Sequence, residues 1–473
     1  MHHGLRPLAA GRRPLPDSLV TPPSDFTAPP RSEPASAPRL ALPRIIAYAL
    51  PAIPLAALTL PLYVLVPTFY TETLGLQLAS VGFALLLVRV FDAVNDPLIG
   101  WAADRFRPRF GRRRALFAIS LPLTAVSAFM LFWPPAEATT AWLVSWGLLL
   151  SLGYTAALIP FSAWGAELAT DYHGRSRITG WREGLTLVGT LIAIALPFAI
   201  GFDRADGVHG LAVLGIAVLV ALPLFGSVAI LATPEPAEHS KTRLDLKSGL
   251  GHLARNRPFV RLIAAFFLNG LANGIPATLF LYFVSARLGL PDARGPLLFF
   301  YFLCAVAGVP LATWAARRVG KHRAWCYAML AACLAFAPAP LLPEGSLIAF
   351  AMICAVTGVL LGFDLALPPA IQADVIDVDT AASGEQRSGV YFAAWSLSTK
   401  LSLAGGVGVV FPVLAGFGFD PAAEGGSVEG LTALAVAYAW APIAAKLIAI
   451  ALMWNFPLDE AAQKSLRASI ESA

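Results

Sequence analysis

RVFDAVNDPLIGWAADRFRPRFGRRR, residues 89–114, decides how the rest of the chain is read. Its first half is apolar enough for a buried helix, yet it carries Arg89, Asp92, Asn95 and Asp96. Its second half packs six arginines (Arg105, Arg107, Arg109, Arg112, Arg113, Arg114) around Asp104. An apolar segment closed by a dense basic run is the pattern of a membrane helix with a positive anchor on one side of the bilayer. Charge inside such a helix costs roughly 2.5–3.5 kcal/mol on insertion scales, so acids survive there only for a chemical reason.

The rest of the chain agrees with that reading. Its 473 residues are 57% hydrophobic and 13% charged, whereas soluble domains run at about 25% charged. A chain this apolar cannot cover a water-exposed surface, and lipid must be its solvent. With about 20 residues to a span, apolar runs near 45–70, 79–103, 114–133, 141–168, 181–202, 211–232, 259–286, 296–316, 324–342, 346–371, 388–418 and 430–455 predict twelve membrane helices and an all-α polytopic fold. The polar, basic stretch Thr233–Pro258 divides them evenly. The expected organisation is a tail over 1–43, a six-helix half over 44–232, a central loop over 233–258, a second half over 259–456 and a tail over 457–473. Residues 1–43 are rich in Pro, Ser and Arg and hold no signal-peptide core, so a disordered cytoplasmic tail is expected.

Several function classes find no support. The net charge of +5 sits between apolar runs and makes no nucleic-acid face. Cys304, Cys326, Cys333 and Cys354 show no CxxC spacing and read as apolar fillers. No phosphate-binding loop, HExxH or GxSxG motif suggests an enzyme or an organic cofactor.

Loop charge gives the orientation. The loops that follow even-numbered spans hold 20 Lys and Arg, and the opposite loops hold three (Arg204, Arg287, Arg294). This imbalance predicts cytoplasmic termini in a multi-pass protein of the cell inner membrane. Two echoes suggest a duplication. Trp101-Ala102-Ala103-Asp104-Arg105 answers Trp314-Ala315-Ala316-Arg317-Arg318 at an offset of 213, and Ala166-Glu167-Leu168 answers Ala373-Asp374-Val375 at 207. Parallel six-helix repeats are the architecture of the major facilitator fold, with the solute site between the halves and access by rocking.

Asp92 and Asp96 are i,i+4 and Asp92 and Asn95 are i,i+3, so three oxygen-bearing side chains share one face, with Arg89 a turn before. Clustered oxygens suit a hard cation. With a hydroxyl from another span they would suit Na⁺; the acids alone would suit a proton relay; a purely structural ion-pair network is the third reading. Lys400, mid-span in the second half, is expected to partner Asp92 or Asp96 and to release on cation binding. Asp364 stands alone in its span before Pro368 and Pro369, which are expected to kink that helix, and it is expected to contact solute. Lys446 is expected to snorkel toward a polar end. Tyr63, Tyr154 and Trp395 fall in cavity-lining spans, where a sugar ring could stack. Asp104 and Arg105 in the basic run, with Glu167 and Asp374 at matched ends, are expected to form a cytoplasmic gate.

Three stretches carry a family resemblance: the opening one, IPFSAWGAELATDYHGRSRITGWREG (159–184), and QADVIDVDTAASGEQRSG (372–389) followed by Lys400. Together they closely resemble the glycoside–pentoside–hexuronide:cation symporters, the melibiose permease group of the major facilitators. The resemblance spans roughly residues 45–455. It implies a cation site of Asp92, Asn95, Asp96 and Thr155 for Na⁺, H⁺ or Li⁺, coupled to Lys400, with Arg182 and Tyr154 approaching the solute. The sugar-binding acids of melibiose-type members fall here on Ala56 and Leu158, so galactosides are not expected.

The expected function is cation:solute symport of a small solute, a sugar or glycoside, by a monomer in the bilayer. One rival is a lysolipid or amphiphile transporter on the same fold, marked by a wide apolar cavity. Another is a non-transporting sensor, which would call for an effector domain that neither tail is long enough to form.

Overall fold

Prolines interrupt nearly every apolar run, among them Pro61, Pro97, Pro122, Pro160, Pro276 and Pro412, yet the runs fold as helices around them. In hydrocarbon each backbone polar group must be satisfied within the protein, and helices do this segment by segment. The computed structural model describes residues 41–105, 111–168, 172–202, 209–234, 253, 256–383, 388–421 and 427–457, and within these it leaves out the side chains of 101–105, 112, 166–167, 172–176, 377–383 and 388–390. Among the described residues twelve helices are long and apolar enough to cross a membrane: α1 (Leu42–Tyr63), α2 (Leu78–Gly100), α3 (Arg113–Phe132), α4 (Thr140–Gly165), α5 (Arg177–Ile200), α6 (Gly210–Ala232), α7 (Arg257–Arg287), α8 (Pro291–Val319), α9 (Lys321–Leu341), α10 (Leu347–Ile376), α11 (Tyr391–Gly416) and α12 (Val428–Met453). The chain is a multi-pass membrane protein. Residues 1–40, most of 235–255 and 458–473 lie outside the described residues.

The first and last six helices repeat one another in packing. α2 lies on α4 as α8 lies on α10; α3 lies on α4 and α6 as α9 lies on α10 and α12; α1 lies on α5 as α7 lies on α11. A third sequence echo carries the repeat into local geometry. FYTETLGL (69–76) and FVSARLGL (283–290), at an offset of 214, both leave their helices through a π-turn, Phe69–Thr73 and Phe283–Arg287. In each, a leucine N–H bonds five residues back, Leu74 to Phe69 at 3.2 Å and Leu288 to Phe283 at 3.1 Å. Gly75 and Gly289 come next at φ 69° and 66°, a region that glycine enters without a Cβ penalty. Within the second set, α8 and α10 approach through bare backbone: a Cβ on Gly308 would collide with the Val359 carbonyl oxygen.

Two helix pairs, α2–α11 and α5–α8, join the sets. At the side away from the basic loops, here the distal side, Thr71 and Tyr282 hydroxyls bond at 2.7 Å and Arg294 Nη1 meets Glu72 Oε2 at 2.6 Å. Phe411 fills the space beside Gly82, and Phe198 that beside Gly295.

The helix bearing Asp364 continues from Leu347 to Ser383 through Pro368 and Pro369. Each proline lacks the N–H that would bond four residues back, freeing the Asp364 and Leu365 carbonyls, but the flanking turns carry the helix on and no break forms.

Candidate functional site

The one-turn spacing of Asp92 and Asp96 on α2 turns both carboxylates toward α4 and α11. Ser151 Oγ donates to Asp92 Oδ1 at 2.7 Å. Thr155 Oγ1, one turn on, lies 3.2 Å from Asp92 Oδ1 and 3.0 Å from Asp96 Oδ1. From the other six-helix set, Lys400 Nζ on α11 lies 2.9 Å from Asp92 Oδ2 and 2.6 Å from Asp96 Oδ1. Ser396, one turn before Lys400, donates to Asp96 Oδ2 at 3.4 Å. Asp92 is 4% exposed, so its charge depends on these partners.

Arg89 closes the site on its other flank. Its Nη1 lies 3.8 Å from Asp92 Oδ2, and its guanidinium sits 5.8 Å over the Tyr63 ring. Two carboxylates thus face two cations, one of them supplied by the opposite helix set. Asn95 is buried and its amide nitrogen has no hydrogen-bond partner. The structure therefore brings Asp92, Asp96, Thr155, Arg89 and Lys400 together. Sequence reasoning misses Ser151 and Ser396. Their only signal is position, one turn from Thr155 and from Lys400 on the same helix faces.

Tyr154, one of the expected solute residues, lies within electrostatic reach of Asp92, Arg89 and Tyr63. Tyr63 lies beneath Arg89, and Tyr154 neighbours Thr155 on α4, partly buried against the core. Arg182 is bonded to its own neighbour, Glu183, at 2.7 Å. Trp395 stacks on Phe266, ring centroids 3.7 Å apart. Of the expected gate, the side chains of Asp104, Arg105 and Glu167 lie outside the described residues. Asp374 is held by Lys321 Nζ from its own helix set, at 2.8 and 2.6 Å.

Asp364 and Lys446 require correction. Asp364 is not alone: Oδ1 accepts from Trp325 Nε1 at 2.6 Å, and Oδ2 accepts from Asn273 Nδ2 at 2.9 Å and from Lys446 Nζ at 3.2 Å. Nor does Lys446 snorkel. It is 8% exposed and also donates to Asn269 Oδ1 at 2.6 Å. Burial explains both, because a carboxylate and an ammonium at that depth stabilise each other more than either could be solvated alone. This second polar cluster lines a partly open cavity of about 80 Å³, walled by α7, α8, α9, α10 and α12 and touched by Val64 just past the end of α1. Among the described residues, no group of three or more His, Cys, Asp or Glu side chains is set to hold a metal ion. The four cysteines are free thiols.

Known proteins share this organisation. The MFS/sugar transport protein family profile matches residues 47–460. An isoprimeverose transporter of Lactiplantibacillus pentosus is 27% identical over 417 residues, covering 84% of this chain and 85% of its own length. The human sodium-dependent lysophosphatidylcholine symporter 1 is 21% identical over 430 residues, covering 83% of this chain and 79% of its own. Among solved structures, a bacterial homologue of the human lysosomal transporter Spinster, inward-facing and unoccupied, matches with a TM-score of 0.64 at 15% identity, over 90% of this chain and 96% of that one.

Proposed function

We propose a coupling mechanism for this chain, which belongs to the MFS/sugar transport protein family: it is a secondary active symporter that moves a small solute of the sugar or glycoside class with a monovalent cation. The observation that carries the reading is Lys400, whose ammonium from one helix set bridges both acids of the other. A cation entering between Asp92 and Asp96 competes with that ammonium for the same oxygens. Displacing Lys400 breaks a link between the two sets and frees them to rock. Solute is then carried on a movement that the cation licenses.

The donor set fits Na⁺ or H⁺. Asp92, Asp96, Thr155 and Ser151 offer carboxylate and hydroxyl oxygens within one turn of one another. The amide oxygen of buried Asn95 is the further ligand that such a site would use. Arg89 stands beside Asp92 as a second counter-charge and, through Tyr63, ties the site to α1. Solute is assigned to the space beside it, with Tyr63, Tyr154, Trp395 and Arg182 on one flank and Asp364 on the other. Asp374 with Lys321 and the basic segment of Asp104 and Arg105, with Glu167, form the gate on the basic side. The 20-to-3 charge imbalance supports assigning that side, and both termini, to the cytoplasmic face of the inner membrane. The protein works as a monomer, with no organic cofactor.

The test is uptake into proteoliposomes of purified protein. Glycosides of several sugars are offered with and without an inward Na⁺ or H⁺ gradient. Gradient-driven accumulation of one of them is expected. Accumulation that ignores both gradients would overturn the coupling, and uptake of lysophosphatidylcholine alone would transfer the chain to the amphiphile reading.

A further inference from the structure

The π-turns Phe69–Thr73 and Phe283–Arg287 repeat each other, but the ring that supports each one differs. In the second set Phe283 stacks on Tyr438 of α12, with ring centroids 4.1 Å apart and planes 7° apart. In the first set Phe69 lies 4.4 Å from His209, the residue just before α6. α6 and α12 are the sixth helices of their sets. The repeat therefore sets an aromatic ring against both phenylalanines, and only the histidine titrates near neutral pH.

The geometry around His209 favours the neutral ring. It is buried, and its Nδ1 accepts the Ala212 N–H at 3.1 Å. A proton on Nδ1 would set N–H against N–H, at a helix end where the aligned peptide dipoles already carry positive charge. Burial acts in the same direction and holds the pKa below the usual 6.5. The charged side chains of the neighbouring distal segments are Glu72 and Arg294, which pair with each other, Glu137 in the α3–α4 loop, and Asp292. Asp203, Arg204 and Asp206 precede His209 in the chain, outside the described residues. α5 carries no charged residue over 191–202, and α6 carries none.

Phe69 passes the state of that ring to the contact between the sets. It is buried and begins the π-turn, whose closing bond runs from the Leu74 N–H to its own carbonyl at 3.2 Å. Thr71 and Glu72, on the same turn, make the two distal bonds across the sets, to Tyr282 and Arg294. An imidazolium must turn away from the Ala212 N–H, and in turning it withdraws the surface on which Phe69 rests. Both cross-set bonds hang from the turn so released. Tyr438, beneath the matching turn, undergoes no such change.

We infer that His209 is a proton-binding site separate from the acids of α2, and that its protonation loosens the distal contacts Thr71–Tyr282 and Glu72–Arg294. Acid thus favours the conformer open on the distal side. On the orientation proposed above that side faces the periplasm, so external pH sets how readily the transporter opens outward. Only this last step rests on the proposed orientation; the device itself needs only the contacts named.

The experiment uses the full chain in lipid nanodiscs, with spin labels at Gln77 and Asp292 in a cysteine-free background, and compares pH 7 with pH 5. Loss of one helix cap shifts an equilibrium by about fivefold, so the distal-open population is expected to rise about threefold or more in acid. His209→Asn keeps a capping acceptor that does not titrate, and it is expected to remove the rise. His209→Ser serves the same purpose if His209→Asn does not fold. Phe69→Leu keeps the histidine and removes the ring contact. It is expected to remove the rise in the distances while the thermal midpoint keeps its acid sensitivity, which separates the transmitting ring from the titrating one. An acid response that survives both histidine variants would place the sensor on Glu72 or the α2 acids and overturn the inference. So would an unmodified protein whose distal side does not respond, or one that closes in acid because the imidazolium holds Phe69 more tightly. The symport reading is tested separately by gradient-driven uptake. Uptake that ignores both gradients, beside a pH response that His209→Asn removes, would overturn symport and leave this inference standing.

Discussion

Arg294 Nη1 sits 2.6 Å from Glu72 Oε2, joining the two six-helix sets at the distal side. Both side chains are largely buried, at 6% and 19% exposed. Removing one partner from such a pair costs about 3–5 kcal/mol, because the other charge is left in place. Glu72→Gln should therefore favour the conformer open on the distal side. Spin labels at Gln77 and Asp292, in a cysteine-free background, should move apart in the variant. The swap Glu72→Arg with Arg294→Glu should bring them back. Unchanged distances in Glu72→Gln would mean that the pair does not hold the distal side shut.

Asp92→Asn and Asp96→Asn should each abolish gradient-driven uptake while leaving downhill flux or exchange. Ser151, whose only signal in the sequence is its place one turn before Thr155, makes a finer test. A hydrogen bond to a charged group is worth about 1.5–3 kcal/mol, so Ser151→Ala should weaken cation binding by about tenfold or more without altering solute affinity in the absence of cation. Calorimetric titration with Na⁺, and with Li⁺, reads both parameters. Full concentrative uptake in both aspartate variants would remove the cation site from α2.

Much of this architecture is legible in the sequence. The spans come from apolar runs about 20 residues long, and Lys400 can be matched to Asp92 and Asp96 because a charge at that depth needs a partner. The same logic fails for Asp364. Its partner, Lys446, lies 82 residues away on a helix whose packing against α7 and α9 no linear pattern reveals. With Lys400 matched to the α2 acids, Asp364 looks unpaired in the linear chain. The repeat FYTETLGL and FVSARLGL is fully legible, but its meaning lies in the π-turns, which only the folded backbone reveals. Ser151 and Ser396 carry no signature beyond position, because a membrane helix tolerates serine almost anywhere its hydroxyl can bond to the preceding turn.

Topology is checked by fusion. A phosphatase active only in the periplasm, joined after Ala473, should be silent, and a fluorescent protein that matures only in the cytoplasm should be bright. The reverse pattern would contradict the orientation drawn from 20 basic residues against three.

His209 lies just before α6 and caps it. Its Nδ1 accepts the Ala212 N–H at 3.1 Å, and its ring lies 4.4 Å from that of Phe69. Burial pushes its pKa below the usual value of 6.5, so the folded state favours the neutral ring. The linkage runs in one direction: the stabilisation is complete above pH 6.5 and is lost as pH falls through the lower folded-state value. His209→Asn keeps a capping acceptor and removes the titration. Its thermal midpoint should vary less between pH 7 and pH 5 than that of the unmodified protein, and an identical acid sensitivity would exclude this histidine as its source.

Asp364 and Lys446 can be separated from the cation site by a double-mutant cycle. Asp364→Leu alone leaves a buried ammonium with no counter-charge, held by Asn269 Oδ1, and removes the acceptor for three donors, Trp325, Asn273 and Lys446. The loss in stability should be about 3–5 kcal/mol. Adding Lys446→Leu removes the stranded charge, so the double variant should regain much of that stability. Solute binding should not return, because the Asp364 carboxylate assigned to the solute flank is gone. Cation binding should persist in all three variants, since Asp92, Asp96 and Thr155 lie on α2 and α4 and their bridging lysine on α11. Denaturation midpoints, glycoside calorimetry and Na⁺ titration on one set of samples give the three readings. Recovery of glycoside binding in the double variant would make the pair a structural clamp only. Loss of cation binding in the single variants would instead fold Asp364 into the coupling machinery, with Tyr301, which lies within electrostatic reach of both Asp364 and Tyr63, as the connecting side chain.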